Sequence, residues 1–297
     1  MKKFLVIFFL LLVLISCGPK FVYPHLNWLI PWYVSDFISL DSDQKNMLEM
    51  RLQQQIDWHC RTQLPTYAEF LRALSNDLAN KAHPIDYQKI QYYYGELMAL
   101  WKELLRQIGP DITDILLTAS DEQIHELFSN LQKRNQKFRE KYIDPPLEEL
   151  NKNRQERLMK NLKYWISNLT PEEMQAVSDW STQLVPIASD WLQNRERIQG
   201  ELRRSLAQRS DSDEFRAKLL ERIVNPEQMR TAAFQQKMDY NTDVTIRLII
   251  RLERLLTPEQ RAYLLKRIES LSADFDKLSC DPKELPSQRF NQQNPAD

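Results

Sequence analysis

The chain has only four glycines among its 297 residues. Sandwiches, barrels and doubly wound sheets need glycine at many tight turns, so this scarcity argues against those classes. Leu, Gln, Glu, Arg and Lys are abundant instead, and all five are good helix formers. The sequence therefore predicts an all-α fold, an irregular bundle of about ten helices that could be divided into two lobes.

No charge of one sign dominates, because 40 Lys and Arg residues oppose 41 Asp and Glu residues. A strongly basic face is the electrostatic signature of nucleic-acid binding, so we do not expect a nucleic-acid partner. Glycine-rich phosphate loops and Gly-x-Ser-x-Gly elbows are also missing from the sequence. His125-Glu126 begins like a zinc-protease helix, but Ser129 stands where the second histidine ligand would be. We predict no catalytic residue, no metal site and no cofactor.

The chain has one long hydrophobic run, Phe4 to Ile15, which follows Lys2 and Lys3. Its twelve residues are too few to span a bilayer as a helix and are typical of a signal peptide. Ser16 and Cys17 then complete a lipobox, which predicts cleavage of residues 1–16 and lipidation of Cys17. The rival interpretation is an ordinary secretory signal with a chance cysteine. Gly18 follows the lipobox cysteine, where an Asp would signal retention in the inner membrane, so we expect the outer membrane.

Residues 17–22 are predicted to be a lipidated linker, and an unusually aromatic segment follows. Trp28, Trp32 and Tyr33 have two interpretations. They could dock into the bundle core, which we favour, or they could lie among the lipid headgroups, where amphipathic rings are stabilised.

Cysteine is scarce, since only Cys60 and Cys280 remain once Cys17 carries lipid. A pair of thiols in an oxidising, exported compartment is a disulfide candidate. We therefore predict a bridge between them; the alternative is two buried free thiols.

Four short motifs predict helix starts by the same capping chemistry, a Thr, Ser or Asp cap followed three residues later by Gln or Glu. They are Leu40 to Gln44, Leu117 to Gln123, Leu169 to Glu173 and Leu256 to Gln260. Helix stops are predicted at Thr62 to Pro65 and at Gly109-Pro110. Asp144-Pro145-Pro146 is the best candidate boundary between an N-terminal lobe, 23–143, and a C-terminal lobe, 144–280. The polar tail 281–297 is predicted to be disordered.

Three motifs in fixed order carry a family resemblance: Tyr23-x-x-Leu26-Asn27-Trp28-Leu29, Trp32-Tyr33-Val34-x-Asp36-Phe37, and Trp58-His59-x-Arg61-Thr62-Gln63-Leu64-Pro65-x-Tyr67. With the lipobox, they resemble a family of proteobacterial lipoproteins classed as a domain of unknown function. The resemblance is specific over residues 14–75 and implies an all-helical fold and no known activity. Cys60 departs from that pattern, which implies that the bridge is peculiar to one branch.

These features together predict an outer-membrane lipoprotein that faces the periplasm. Its expected partners are membrane lipid, through Cys17, and an envelope protein. The expected function is binding or scaffolding, including chaperone-like binding, because the Leu-Thr-x-x-Gln helix starts are similar to a motif of small periplasmic stress chaperones. The alternative is an envelope enzyme that acts on peptidoglycan or lipid.

Overall fold

The structure is a computed structural model that describes residues 19–80, 82–209 and 212–280. Over these ranges the chain is helical and contains no strand, so the all-α prediction is confirmed. The helices are α1 (Pro19–Val22), α2 (Leu26–Ser35), α3 (Ser42–Trp58), α4 (Leu64–Ala79), α5 (Tyr87–Thr118), α6 (Asp121–Tyr142), α7 (Leu147–Ile166), α8 (Pro171–Gln183), α9 (Ala188–Ala207), α10 (Asp213–Val224), α11 (Ala232–Leu255) and α12 (Pro258–Leu278). Cys17, the signal peptide and the tail lie outside the described residues.

Both predicted helix stops are wrong. A π-helical stretch, His59–Gln63, joins α3 to α4, so the chain does not leave the helix at Pro65. Helix α5 likewise continues through Gly109 and Pro110 to Thr118. An interior proline costs a helix about 3 kcal/mol.

Tertiary contacts around the Pro110 turn explain why α5 continues. The glycine before the proline lets α10 approach closely, since a Cβ at Gly109 would lie 2.7 Å from the Leu220 side chain. One residue after the proline, Asp111 is buried and accepts hydrogen bonds from Arg51 (3.1 Å) and Gln55 (2.6 Å) of α3. These interactions exist only if α5 continues, and they offset the cost of the proline.

The core consists of separate hydrophobic clusters rather than one continuous layer. Cys60, Leu64 and Ala68 pack against Leu271 and Phe275, which joins α4 to α12. A second cluster joins the residues before α3 to α6, α9 and α10, and a third joins α8 to α11. The first two clusters contain residues from both sides of Asp144. The division into two lobes stays a prediction.

The predicted disulfide is present. The Cα atoms of Cys60 and Cys280 are 5.1 Å apart, within the normal range for a bridge, and the two sulfur atoms are bonded. The backbone N–H of Cys280 also donates to the carbonyl of Cys60 at 3.1 Å. The bridge ties the π-helical stretch to the residues that follow α12.

The four capping motifs all form reciprocal capping boxes, as predicted, and the boxes meet in pairs. Gln44 at the start of α3 exchanges side-chain hydrogen bonds with Gln123 at the start of α6 (3.1 and 2.6 Å). Each amide also donates to the carbonyl two residues before its partner's cap, Thr118 and Ser39. The starts of two otherwise distant helices are thereby joined.

The second pair of boxes, at α8 and α12, repeats this arrangement with one difference. Gln260 donates to Glu173 (2.9 Å) and to the carbonyl of Asn168 (2.7 Å). Glu173 is fully buried, and its Oε1 atom has no hydrogen-bond partner among the described residues. A carboxylate cannot donate, so Glu173 does not make the bond that a glutamine would make to the carbonyl two residues before Thr257.

The difference predicts the effect of substitutions at Glu173. Glu173→Gln is expected to keep or raise the free energy of unfolding, because its amide could donate to the Leu255 carbonyl. Glu173→Ala should lower that free energy by about 1–3 kcal/mol, because the backbone N–H of Thr170 and the amide of Gln260 lose a buried acceptor. Urea unfolding of both variants measures this. Equal destabilisation by Gln and Ala would show instead that the carboxylate charge is required.

Candidate functional site

The N-terminal segment has an exposed aromatic face. Helix α1, a 3-10 turn (Tyr23–His25) and α2 follow one another without a break. Phe21, His25, Trp28 and Trp32 are spaced by four, three and four residues, which places them on one side of a helix. Phe21, Trp28 and Trp32 are 74%, 60% and 58% exposed, and the adjacent Tyr33 is 52% exposed. We call these five residues the aromatic face.

The opposite side of the same segment packs against the protein. Tyr23 contacts the cluster of α4 and α12, while Val34 and Phe37 contact the cluster of α6, α9 and α10. Tyr23 and Val34 are eleven residues apart, about three helical turns, so they lie across the helix axis from the aromatic face, and Phe37 follows just after the end of α2. The segment is therefore fixed along one side and open along the other.

Polar contacts hold the segment at both ends. At its start, Lys20 pairs with Asp274 of α12, and the Tyr23 hydroxyl lies 3.1 Å from Nδ1 of His59. At its end, Asp36 pairs with Arg134 of α6 at 3.0 Å. The aromatic face thus belongs to a helix whose orientation on the bundle is set by ion pairs, a hydrogen bond and apolar packing.

The favoured core docking of Trp28, Trp32 and Tyr33 is wrong. All three side chains are more than half exposed, and the side chains that pack inward are Tyr23, Val34 and Phe37. The physical reason is the helical period: only one stripe of this short helix can face the bundle, and the two tryptophans lie on the other. The headgroup interpretation of these residues stays open.

His59 is partly buried, whereas the other three histidines are exposed. Tyr23 and Tyr67 lie against its ring, with centroids 5.6 and 5.5 Å away. Burial lowers the pKa of His59 to about 4, so the ring is neutral at pH 7. Burial, with a smaller effect of Glu103, raises the pKa of Tyr67 to about 12. The tyrosines and the histidine hold the π-helical stretch against the N-terminal segment, a contact that the Trp58 to Tyr67 motif did not reveal.

The other candidate chemistry is dispersed. His25, His83 and His125 are exposed on separate elements, and Glu148 and Glu149 are exposed at the start of α7. Over the described residues, the one group with metal-like geometry is Asp57, Cys60 and Cys280. Its two sulfur atoms are consumed by the disulfide, and only free thiolates ligate metals well. This arrangement fits a structural bridge better than a metal centre.

None of the helices in the described part of the chain is both long enough and apolar enough to cross a membrane.

Comparison with curated proteins and with solved structures found no significant match. A family model does match residues 36–235, about two thirds of the chain. The match includes Cys60 but neither Cys280 nor the aromatic face. The match begins at Asp36, the residue that forms an ion pair with Arg134 of α6, and it ends early in α11. The chain belongs to the family of unknown function DUF6279.

Proposed function

We propose that this protein is a lipid-anchored envelope protein that lies on the periplasmic surface of the outer membrane and acts by binding or scaffolding an envelope protein. The observation that carries the proposal is the aromatic face. An exposed stripe of tryptophan, tyrosine and phenylalanine is unfavourable in water, and such rings are stabilised in the headgroup region of a bilayer.

The position of the face along the chain supports the same proposal. Cys17 is two residues before Pro19, so covalent geometry limits their Cα separation to about 7 Å. Acyl chains on Cys17 would hold the first turn of the segment at the bilayer surface. The fixed orientation of the segment would then turn Phe21, Trp28 and Trp32 toward the headgroups and the rest of the bundle toward the periplasm.

The Trp28→Ala, Trp32→Ala double variant tests this orientation. We expect the free energy of unfolding to change by less than about 0.5 kcal/mol, since both side chains are exposed. In phosphatidylcholine vesicles with headgroup nitroxides, the wild-type tryptophan fluorescence should be quenched, and the variant should lose most of that quenching.

Trp180→Ala is the matched control. Trp180 is 9% exposed, packs in the cluster of α8 and α11, and donates to Thr245 at 3.1 Å. Its loss should cost about 3–5 kcal/mol. Equal quenching of the wild type and the double variant would refute the orientation, as would a loss of stability in the double variant similar to that of Trp180→Ala.

Binding and enzymatic activity differ in what they require of the bundle surface. An enzyme needs convergent polar groups in a cleft. In this bundle the partly buried His59 ring lies against the rings of Tyr23 and Tyr67, and the buried carboxylate of Glu173 belongs to a helix cap. These assignments favour binding. Crosslinking in living cells and mass spectrometry of the captured proteins test it: a single envelope protein crosslinked reproducibly to the bundle supports scaffolding, and turnover of a peptidoglycan or lipid substrate would contradict it.

A further inference from the structure

Helices α6 and α9 run antiparallel and pack closely. Phe138 of α6 stacks against Trp191 of α9 with ring centroids 4.8 Å apart. Further along the contact between the two helices, the Asn135 amide donates to Gln199 at 2.7 Å, and Arg203 lies 5.9 Å from the Phe128 ring. Residue numbers therefore rise along one helix as they fall along the other, and the register is fixed.

This register places two arginines opposite each other. Arg134 lies one helical turn before Phe138, and Arg195 lies one turn after Trp191. Because the helices are antiparallel, both arginines lie one turn away from the Phe138–Trp191 contact in the same direction. Arg134 pairs with Asp36 and lies over the Phe37 ring at 4.0 Å. The Arg195 guanidinium lies 5.2 Å from the Trp191 ring.

Positive charge is in excess where Arg134 and Arg195 lie opposite each other. Arg195 forms no ion pair or hydrogen bond with any residue that the structure describes. Desolvation and, next, the positive charge of Arg134 lower its pKa, while Tyr33 and the neighbouring Glu196 act weakly in the opposite direction. Asp36 pairs with Arg134, and no described carboxylate pairs with Arg195. Like charges at close range repel unless an anion lies between them.

We propose that Arg195 and Arg134 form a binding site for the phosphate of an anionic lipid headgroup, beside Tyr33 at the end of the aromatic face. Guanidinium groups bind phosphate oxygens through paired charge-assisted hydrogen bonds. Arg134 lies 5.6 Å from the Tyr33 ring, so the cations and the aromatic face belong to one surface. The inference rests on the proposed membrane orientation, because that orientation brings headgroups to this surface.

Native mass spectrometry of the acylated, full-length mature protein in neutral detergent tests the site. The probes are short-chain phosphatidylglycerol, short-chain phosphatidylcholine and inorganic phosphate. We expect one phosphatidylglycerol to bind, and Arg195→Gln to weaken that binding roughly tenfold through the loss of a charge-assisted contact. Arg134→Gln should act in the same direction. Arg197→Gln, on the same helix but paired with Glu201, is the control and should bind as the wild type does.

Each other outcome overturns the inference in a different way. Equal binding of phosphatidylcholine would mean that the site does not select negative charge. Equal binding of inorganic phosphate would assign the site to free phosphate. Equal weakening by Arg197→Gln would indicate an effect of net charge. The aromatic-face test uses vesicles without anionic lipid, so it can fail or succeed independently of this one.

Discussion

Removal of the Cys60–Cys280 bridge is expected to lower the free energy of unfolding by up to about 5 kcal/mol. The bridged residues are 220 positions apart, and the loss of chain entropy in the unfolded state grows with the length of the closed loop. Cys60 is also 2% exposed and packs with Leu64, Ala68 and Phe275, so its environment is already ordered by apolar contacts. The measurement is urea unfolding of the Cys60→Ala, Cys280→Ala double variant beside the oxidised wild type.

Reduction of the wild-type bridge provides the control, because it removes the cross-link while leaving both side chains in place. The reduced wild type should unfold close to the double variant. Alkylation of the denatured, unreduced protein should label neither Cys60 nor Cys280. Labelling of both thiols, or identical unfolding of oxidised and reduced protein, would contradict a stabilising bridge.

Cys17→Ser is expected to move the protein from the membrane fraction to the soluble fraction and to abolish acyl labelling. The Leu14 to Cys17 box behind an apolar leader motivates this prediction. Stable anchoring normally takes two lipid chains, and a lipoprotein cysteine would carry three. Compared with the membrane affinity of the acyl chains, the aromatic face alone offers a small, reversible interfacial contact. It should therefore not prevent release of the Cys17→Ser protein from the membrane.

Cys60→Ser is the matched control for this experiment, since it replaces a cysteine with the same residue outside the lipobox. It should retain the acyl label and the membrane association of the wild type, even if it is less stable. Membrane association of Cys17→Ser that resists high salt, together with no acyl label on the wild type, would refute lipidation at this position.

The aromatic segment illustrates where the sequence was informative and where it was not. Composition identified it as unusual and named Trp28, Trp32 and Tyr33. It could not decide which stripe of the helix would face the bundle, because both stripes are apolar. The inward stripe is set by partners far along the chain, such as His59 for Tyr23 and Arg134 for Asp36. Only the register of α6 and α9 places Arg195 opposite Arg134.

Local chemistry alone determined the helical class and the four capping boxes, because both depend on groups close in sequence. For the cysteines it made Cys60 and Cys280 candidate partners, and the fold brought them together. Tertiary structure decided that Gly109 and Pro110 lie inside α5, because contacts with α3 and α10 outweigh the local penalty of proline. It also decided that the capping boxes meet in pairs. A capping box needs only groups of its own helix start. Gln44 and Gln123 exchange hydrogen bonds only when the fold brings two helix starts together, which also buries the Gln44 side chain.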